Sequence, residues 1–95
     1  MVTNVLMIKL KDRSPESVEA AQALLLSMRG RIEYLADITV KADTRRGAAS
    51  YDLVMTAKYN SAEDFKAYAA HPFHVEVGAE INAMSEHIAT VFYEE

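Results

Sequence analysis

The chain has no cysteine and no tryptophan, only 3 glycines and 2 prolines, and no apolar run approaching the 18 or more residues of a membrane-spanning helix. Without cysteine there is no disulfide, no thiolate nucleophile and no cysteine-based zinc or iron–sulfur site. A chain of 95 residues without such staples is unlike a small secreted scaffold, so a cytoplasmic address is expected. The start, Met1-Val2-Thr3-Asn4-Val5-Leu6-Met7-Ile8-Lys9, lacks the basic residues and small-residue cleavage site of a signal peptide, which agrees with that expectation. Scarce glycine and proline beside a 51% apolar and 25% charged composition exclude collagen-like, low-complexity and disordered classes. Cations are also thin: residues 1–50 carry 8 Lys/Arg against 6 Asp/Glu, and residues 51–95 carry 2 against 8. The one dense cationic pair, Arg45-Arg46 beside Gly47, is too small for a phosphate-facing surface, and nucleic acid is not an expected partner. Gly30, Gly47 and Gly78 are isolated, so there is no phosphate-cradling loop, and no Ser–His–acid elbow can be drawn.

What is present is one domain with a two-sided strand pattern. Domains of this size bury only about 60 to 65% of the surface their unfolded chains expose, so the core is thin and a partner subunit is a plausible source of cover. Met1 to Lys11 reads as a strand with Val2, Leu6, Ile8 and Leu10 on one parity, Asn4 among them, and Val5 and Met7 on the other. Tyr51 to Tyr59 repeats the pattern, with Val54 breaking the polarity of its second face, and Ile88 to Tyr93 repeats it again. Glu33 to Lys41 is a weaker, edge-like strand with Tyr34, Ala36, Ile38 and Val40 on one side.

Ser14-Pro15-Glu16 opens a helix predicted over residues 15–29, with an apolar face of Val18, Ala21, Leu25 and Met28 and a stop at Gly30. Residues 42–50 read as an exposed, mobile loop whose turn-formers are Asp43 and Gly47. Ser61-Ala62-Glu63-Asp64 caps a short helix to about Ala70, His71-Pro72 ends it, and Pro72 starts another to about Glu86. The order strand, helix, strand, strand, helix pair, strand is the split ferredoxin-like arrangement. It is an α+β fold with a four-stranded antiparallel sheet and its helices on one face. The chain has no element left to cover the other apolar face, so sheet-to-sheet homodimerisation is the economical solution.

The densest chemistry lies in Tyr68-Ala69-Ala70-His71-Pro72-Phe73-His74. Helical spacing puts Tyr68 on the side of Phe65 and Ala69, and His74 on the side of Val77, Ile81 and Met84, so both point between helices and sheet. An imidazole and a hydroxyl in an apolar cavity are the parts of a general base and its partner; equally, they are a satisfied pair fixing a helix break. His71, before proline, reads first as a helix cap or a surface group and only second as a ligand contact. His71 and His74 with Glu76 or Glu80 raise a metal reading, but the proline between them breaks the repeat that would align them, and no metal or cofactor is expected. His87 precedes the last predicted strand and has no assigned role. Asn4, a buried amide, must pair with backbone or with a ligand.

The strand Asn4-Val5-Leu6-Met7-Ile8-Lys9-Leu10-Lys11, the segment Tyr59 to Tyr68, the ending Val91-Phe92-Tyr93-Glu94, and above all the Tyr68-x-x-His71-Pro72-x-His74-Val75 run resemble the stress-responsive A/B barrel family. The resemblance covers essentially the whole chain. It implies a dimeric α/β barrel, two four-stranded sheets packed face to face. Many members of the family have no assigned activity, whereas its plant polyketide cyclases close a linear poly-ketone by an aldol reaction without a cofactor. Their working tyrosine and histidine correspond here to Tyr68 and His74. Where relatives carry histidine in the first and third strands this chain has Asn4 and Leu53, which makes the pocket less basic and more apolar.

The expectation is a homodimer whose pocket, lined by Asn4, Leu6, Leu53, His71, Tyr68 and His74, takes a small apolar or aromatic oxygenated molecule. As an enzyme it would be a cofactor-free cyclase or lyase with His74 as base. The competing readings are a non-catalytic stress-related dimer and a cofactor-free monooxygenase sharing the fold but not the motif.

Overall fold

The computed structural model describes residues 1–95. β1 (Val2–Leu10) is followed by α1 (Pro15–Leu26), β2 (Asp37–Ala42), β3 (Leu53–Tyr59), α2 (Ala62–Ala70), α3 (Pro72–Met84) and β4 (Ser85–Glu94). The sheet is antiparallel with strand order β2-β3-β1-β4, the ferredoxin-like order, and all three helices lie on one face. No helix is long and apolar enough to cross a membrane.

The caps form where short polar side chains meet orphan amides. Ser14 Oγ accepts from Ser17 N at 3.2 Å, and Ser61 Oγ accepts from Asp64 N at 3.1 Å. α1 ends at Leu26, three residues before the predicted helix end at residue 29. The Ser27 hydroxyl donates back to Leu24 O, and the following amides bond three residues back (Met28 to Leu25, Arg29 to Leu26, Arg31 to Met28). Gly30 takes φ +77° inside these tightened turns, which roll Met28 and Ile32 into the core. A further turn, Leu35 N to Ile32 O, delays β2 to Asp37, so Tyr34 and Ala36 precede the strand rather than belong to it. The last strand begins three residues earlier than predicted, directly after α3. His87 therefore lies within β4, paired with Lys9, and exposed.

Cross-strand pairing sorts the side chains by face. Toward the helices point Val2, Asn4, Leu6, Ile8 and Leu10 of β1, and Leu53, Met55, Ala57 and Tyr59 of β3. On the opposite face Val5 and Met7 stand beside Val54 and beside Ala89, Val91 and Tyr93 of β4. No element of the chain covers this face: Met7 is 44% exposed, Tyr93 44% and Val91 62%.

The segment after β2 departs most from expectation. Its left-handed residue is Arg46, at φ +58°, not the neighbouring Gly47. The loop closes on the fully buried Asp52, whose Oδ1 accepts from Arg13 Nε at 2.9 Å and Arg46 Nη1 at 3.3 Å and whose Oδ2 accepts from Leu10 N at 2.8 Å. Arg13 also donates to Ser50 O and Gly47 O, and Arg46 to Arg13 O. The loop is exposed as expected, but it is laced to Arg13, just before α1.

Candidate active site

Pro72 has no N–H and excludes the helical region for the residue before it, so His71 is extended at φ −64°, ψ 132° and the helix breaks there. The His71 side chain serves this break. Its Nδ1 accepts from Phe73 N at 3.1 Å and caps α3. The break also brings the first turn of α3 against the end of α2, whose last carbonyls have no helical partner. Ala69 O, one of these, lies 3.0 Å from His74 Nδ1. A carbonyl can only accept, so Nδ1 carries the hydrogen, and in the neutral ring Nε2 keeps the lone pair.

The His74 ring packs on Tyr68 with centroids 4.3 Å apart and planes tilted by 43°. Tyr68 is buried, and its hydroxyl donates to the thioether of Met28 at 3.6 Å, a weak acceptor that leaves it available to a better one. Tyr59 packs on Tyr68 from the other side, centroids 4.8 Å apart, and Phe65 and Phe92 extend the row of rings. Burial pushes the Tyr68 phenol above its ordinary pKa, opposed in part by the Tyr59 hydroxyl; burial pushes Tyr59 up further, with Tyr68 adding to it. Both are neutral at physiological pH, so Tyr68 is a donor rather than a base.

The Tyr59 hydroxyl is fully buried and, though it faces the Tyr68 hydroxyl, makes no hydrogen bond of normal geometry. An unpaired buried hydroxyl costs about 1–3 kcal/mol. Tyr59→Phe is therefore expected to leave stability unchanged or raise it by about 1 kcal/mol, a gain of roughly 4–8 °C in Tm for a domain of this size. A fall of several degrees in thermal denaturation would show that the hydroxyl is paired in solution.

Tyr68 and His74 open onto a cavity of about 200 Å³ between sheet and helices. Its floor is one cross-strand pair, Leu6 and Met55; Leu25 and Met28 form a wall, and the exposed Asn82 stands at the edge. Leu6 lines the cavity as expected, but Asn4 and Leu53 do not. Each belongs to an adjacent pair, Asn4 with Ala57 and Leu53 with Ile8, displaced by two residues, about 6.6 Å, along the strands. Asn4 is instead satisfied within the fold, its Nδ2 donating to Thr90 Oγ1 at 2.9 Å and Val91 O at 3.1 Å. Leu53 borders a separate depression with Met7 and Val54 at the other end of the sheet. His71 is likewise outside the cavity. No group of three or more histidine and carboxylate side chains is placed to hold a metal ion.

Some of these lining residues carried a signal in the sequence. The helical period of α1 placed Leu25 and Met28 inward, and Met55 shares the inward parity of β3. Gly78 and Asn82 carried none beyond their four- and eight-residue steps from His74 along α3.

The family model of the stress-responsive A/B barrel domain matches residues 2–94. The chain belongs to that family. No curated protein matches this stress-responsive A/B barrel sequence. Among solved structures it resembles a dimeric ferredoxin-like protein of unknown function from Thermobifida fusca, at 24% identity and TM-score 0.85, with 99% of this chain and 90% of that one covered. A hydroxynitrile lyase from Passiflora edulis matches at 15% identity and TM-score 0.83, with 97% and 90% covered. A cofactor-independent oxygenase from Streptomyces nogalater matches at 16% identity and TM-score 0.79, with 99% and 91% covered. At these identities the likeness is one of fold, and the fold of this stress-responsive A/B barrel chain serves more than one chemistry.

Proposed function

We propose that this chain is a cytoplasmic homodimer, paired through its open sheet face, whose cavity binds a small apolar or aromatic oxygenated molecule and removes a proton beside its carbonyl without a cofactor. The observation that carries the reading is the fixed tautomer of His74. With Nδ1–H held by Ala69 O, the nitrogen left for chemistry is Nε2, on a side chain that lines a largely apolar cavity. The proton passes from the α-carbon to Nε2. The developing enolate oxygen is held by the Tyr68 hydroxyl, which gives up only a thioether to do so. Ala69 O, rather than Tyr68, orients the base. The fate of the enolate, ring closure as in the cyclases or bond cleavage as in a lyase, is set by the substrate.

The same hydrogen bond favours a second reading, in which His74 fastens the break between α2 and α3 and the protein is a non-catalytic stress-related dimer. Exchange of α-protons separates the two without the natural substrate. In D₂O the wild type is expected to accelerate methyl H/D exchange of acetophenone, followed by NMR, and His74→Ala to lose the acceleration while keeping its Tm within a few degrees. Unchanged exchange in a folded His74→Ala protein would sink the base assignment, and a large loss of Tm would favour the fastener. Undiminished turnover without oxygen would remove the monooxygenase reading.

A further inference from the structure

Gly78 is the seventh residue of the thirteen-residue helix α3, where glycine is the least favourable choice after proline. Neither usual reason for a glycine holds. Its backbone is not left-handed, and a Cβ built there would meet no atom within 4 Å. Yet Gly78 lies in the cavity wall, one turn from His74 on one side and one turn from Asn82 on the other. What it supplies is bare helix backbone facing the cavity.

Resting on the catalytic reading above, we infer that Gly78 is the specificity-determining position of the site, a window against which a single flat ring lies, with polar groups at opposite ends meeting His74 and Tyr68 inside and Asn82 at the mouth. Size and spacing carry the ligand class. A cavity of about 200 Å³ is somewhat larger than the roughly 150 Å³ that takes benzene and smaller than the 300 Å³ at which drug-sized pockets begin. His74 and Asn82 are eight residues apart, about 12 Å along the helix axis, a span that one ring with a hydrogen-bonding group at each end bridges. A methyl group at Gly78 would take about a water's volume, roughly 30 Å³, from the cavity and lift a flat ring off the helix.

The test sets fold against fit, using 4-hydroxyacetophenone and its saturated counterpart 1-(4-hydroxycyclohexyl)ethanone as probes in NMR titrations. The wild type is expected to bind the flat ketone more tightly than the saturated one. Gly78→Ala is expected to raise the Tm by about 3–8 °C, because alanine is the better helix former. It should also weaken 4-hydroxyacetophenone at least about fivefold. Affinity unchanged within about twofold, in a Gly78→Ala protein that folds, would overturn the window. So would a marked fall in Tm, which would make the glycine a requirement of the fold, and so would a wild type that binds neither ketone at millimolar concentration. His74→Ala separates the two proposals: if it abolishes proton exchange while Gly78→Ala leaves binding intact, the base assignment stands and the window falls.

Discussion

Asp52→Ala is expected to cost about 3 kcal/mol of unfolding free energy, a large share of the roughly 5–14 kcal/mol available to a domain of this size. The carboxylate takes over where the ladder between β1 and β3 ends. Asp52 N donates to Ile8 O at 2.8 Å, and Asp52 Oδ2 then accepts from Leu10 N at 2.8 Å, one step beyond the last paired residues. Removing it orphans the amide of Leu10, a residue only 1% exposed, and releases both arginines from a common acceptor. The magnitude sits at the lower end for a broken buried pair because the Arg13 and Arg46 side chains keep 28% and 37% exposure and can rehydrate. Urea denaturation measures the loss. Asp52→Asn, which can still accept from Leu10 N but lacks the charge, is expected to fall between. A cost below about 1 kcal/mol for the alanine would mean that the lacing of the loop contributes nothing to the fold.

Val91→Asp is expected to convert the proposed homodimer to a monomer. Val91 is 62% exposed and lies directly across from Val5 on the uncovered face, beside Met7 and Tyr93. In a face-to-face pair related by a two-fold axis, each substitution buries two unpaired carboxylates, one per subunit, at several kcal/mol apiece. Sedimentation equilibrium at micromolar concentration reads the mass directly, and the Tm should lose the concentration dependence that an associating protein shows. A variant that stays dimeric would move the interface elsewhere on the molecule. A wild type that is monomeric at those concentrations would remove the homodimer altogether.

The sheet was legible because its strands carry apolar residues on both parities, and a two-residue period in burial survives in β2 and β3. Parity alone separated Ile8 from Val5 and Met7, and Leu53, Met55 and Tyr59 from Val54; the pairing and burial add that the first set of each faces the helices. The Tyr68 and His74 pair was legible because helical spacing and a proline break fix their faces. Three features were not legible, each because it depends on register or on distant partners. Asn4 and Leu53 have the right parity, but only the pairing of Leu6 with Met55 says which rung of the ladder the cavity sits over. Asp52 carried no signal in the sequence, since its partner Arg13 is 39 positions away. Arg46 in a left-handed conformation beside a glycine inverts the local turn rule, held there by Asp43 and Asp52 through its amide and its guanidinium.

α3 passes into β4 with no connecting residues, Met84 closing one and Ser85 opening the other. The bare stripe of helix beside His74 and the uncovered row of Ala89, Val91 and Tyr93 are thus on consecutive elements with no loop between them. Ser85 Oγ on Ile81 O and Lys11 N on Met84 O pin the elbow. A loop at that junction would absorb displacement, and this elbow has no slack to do so. The strand that would meet a second subunit therefore sets the seat of the helix that walls the cavity, so a repositioned edge strand is felt one helix turn from the base.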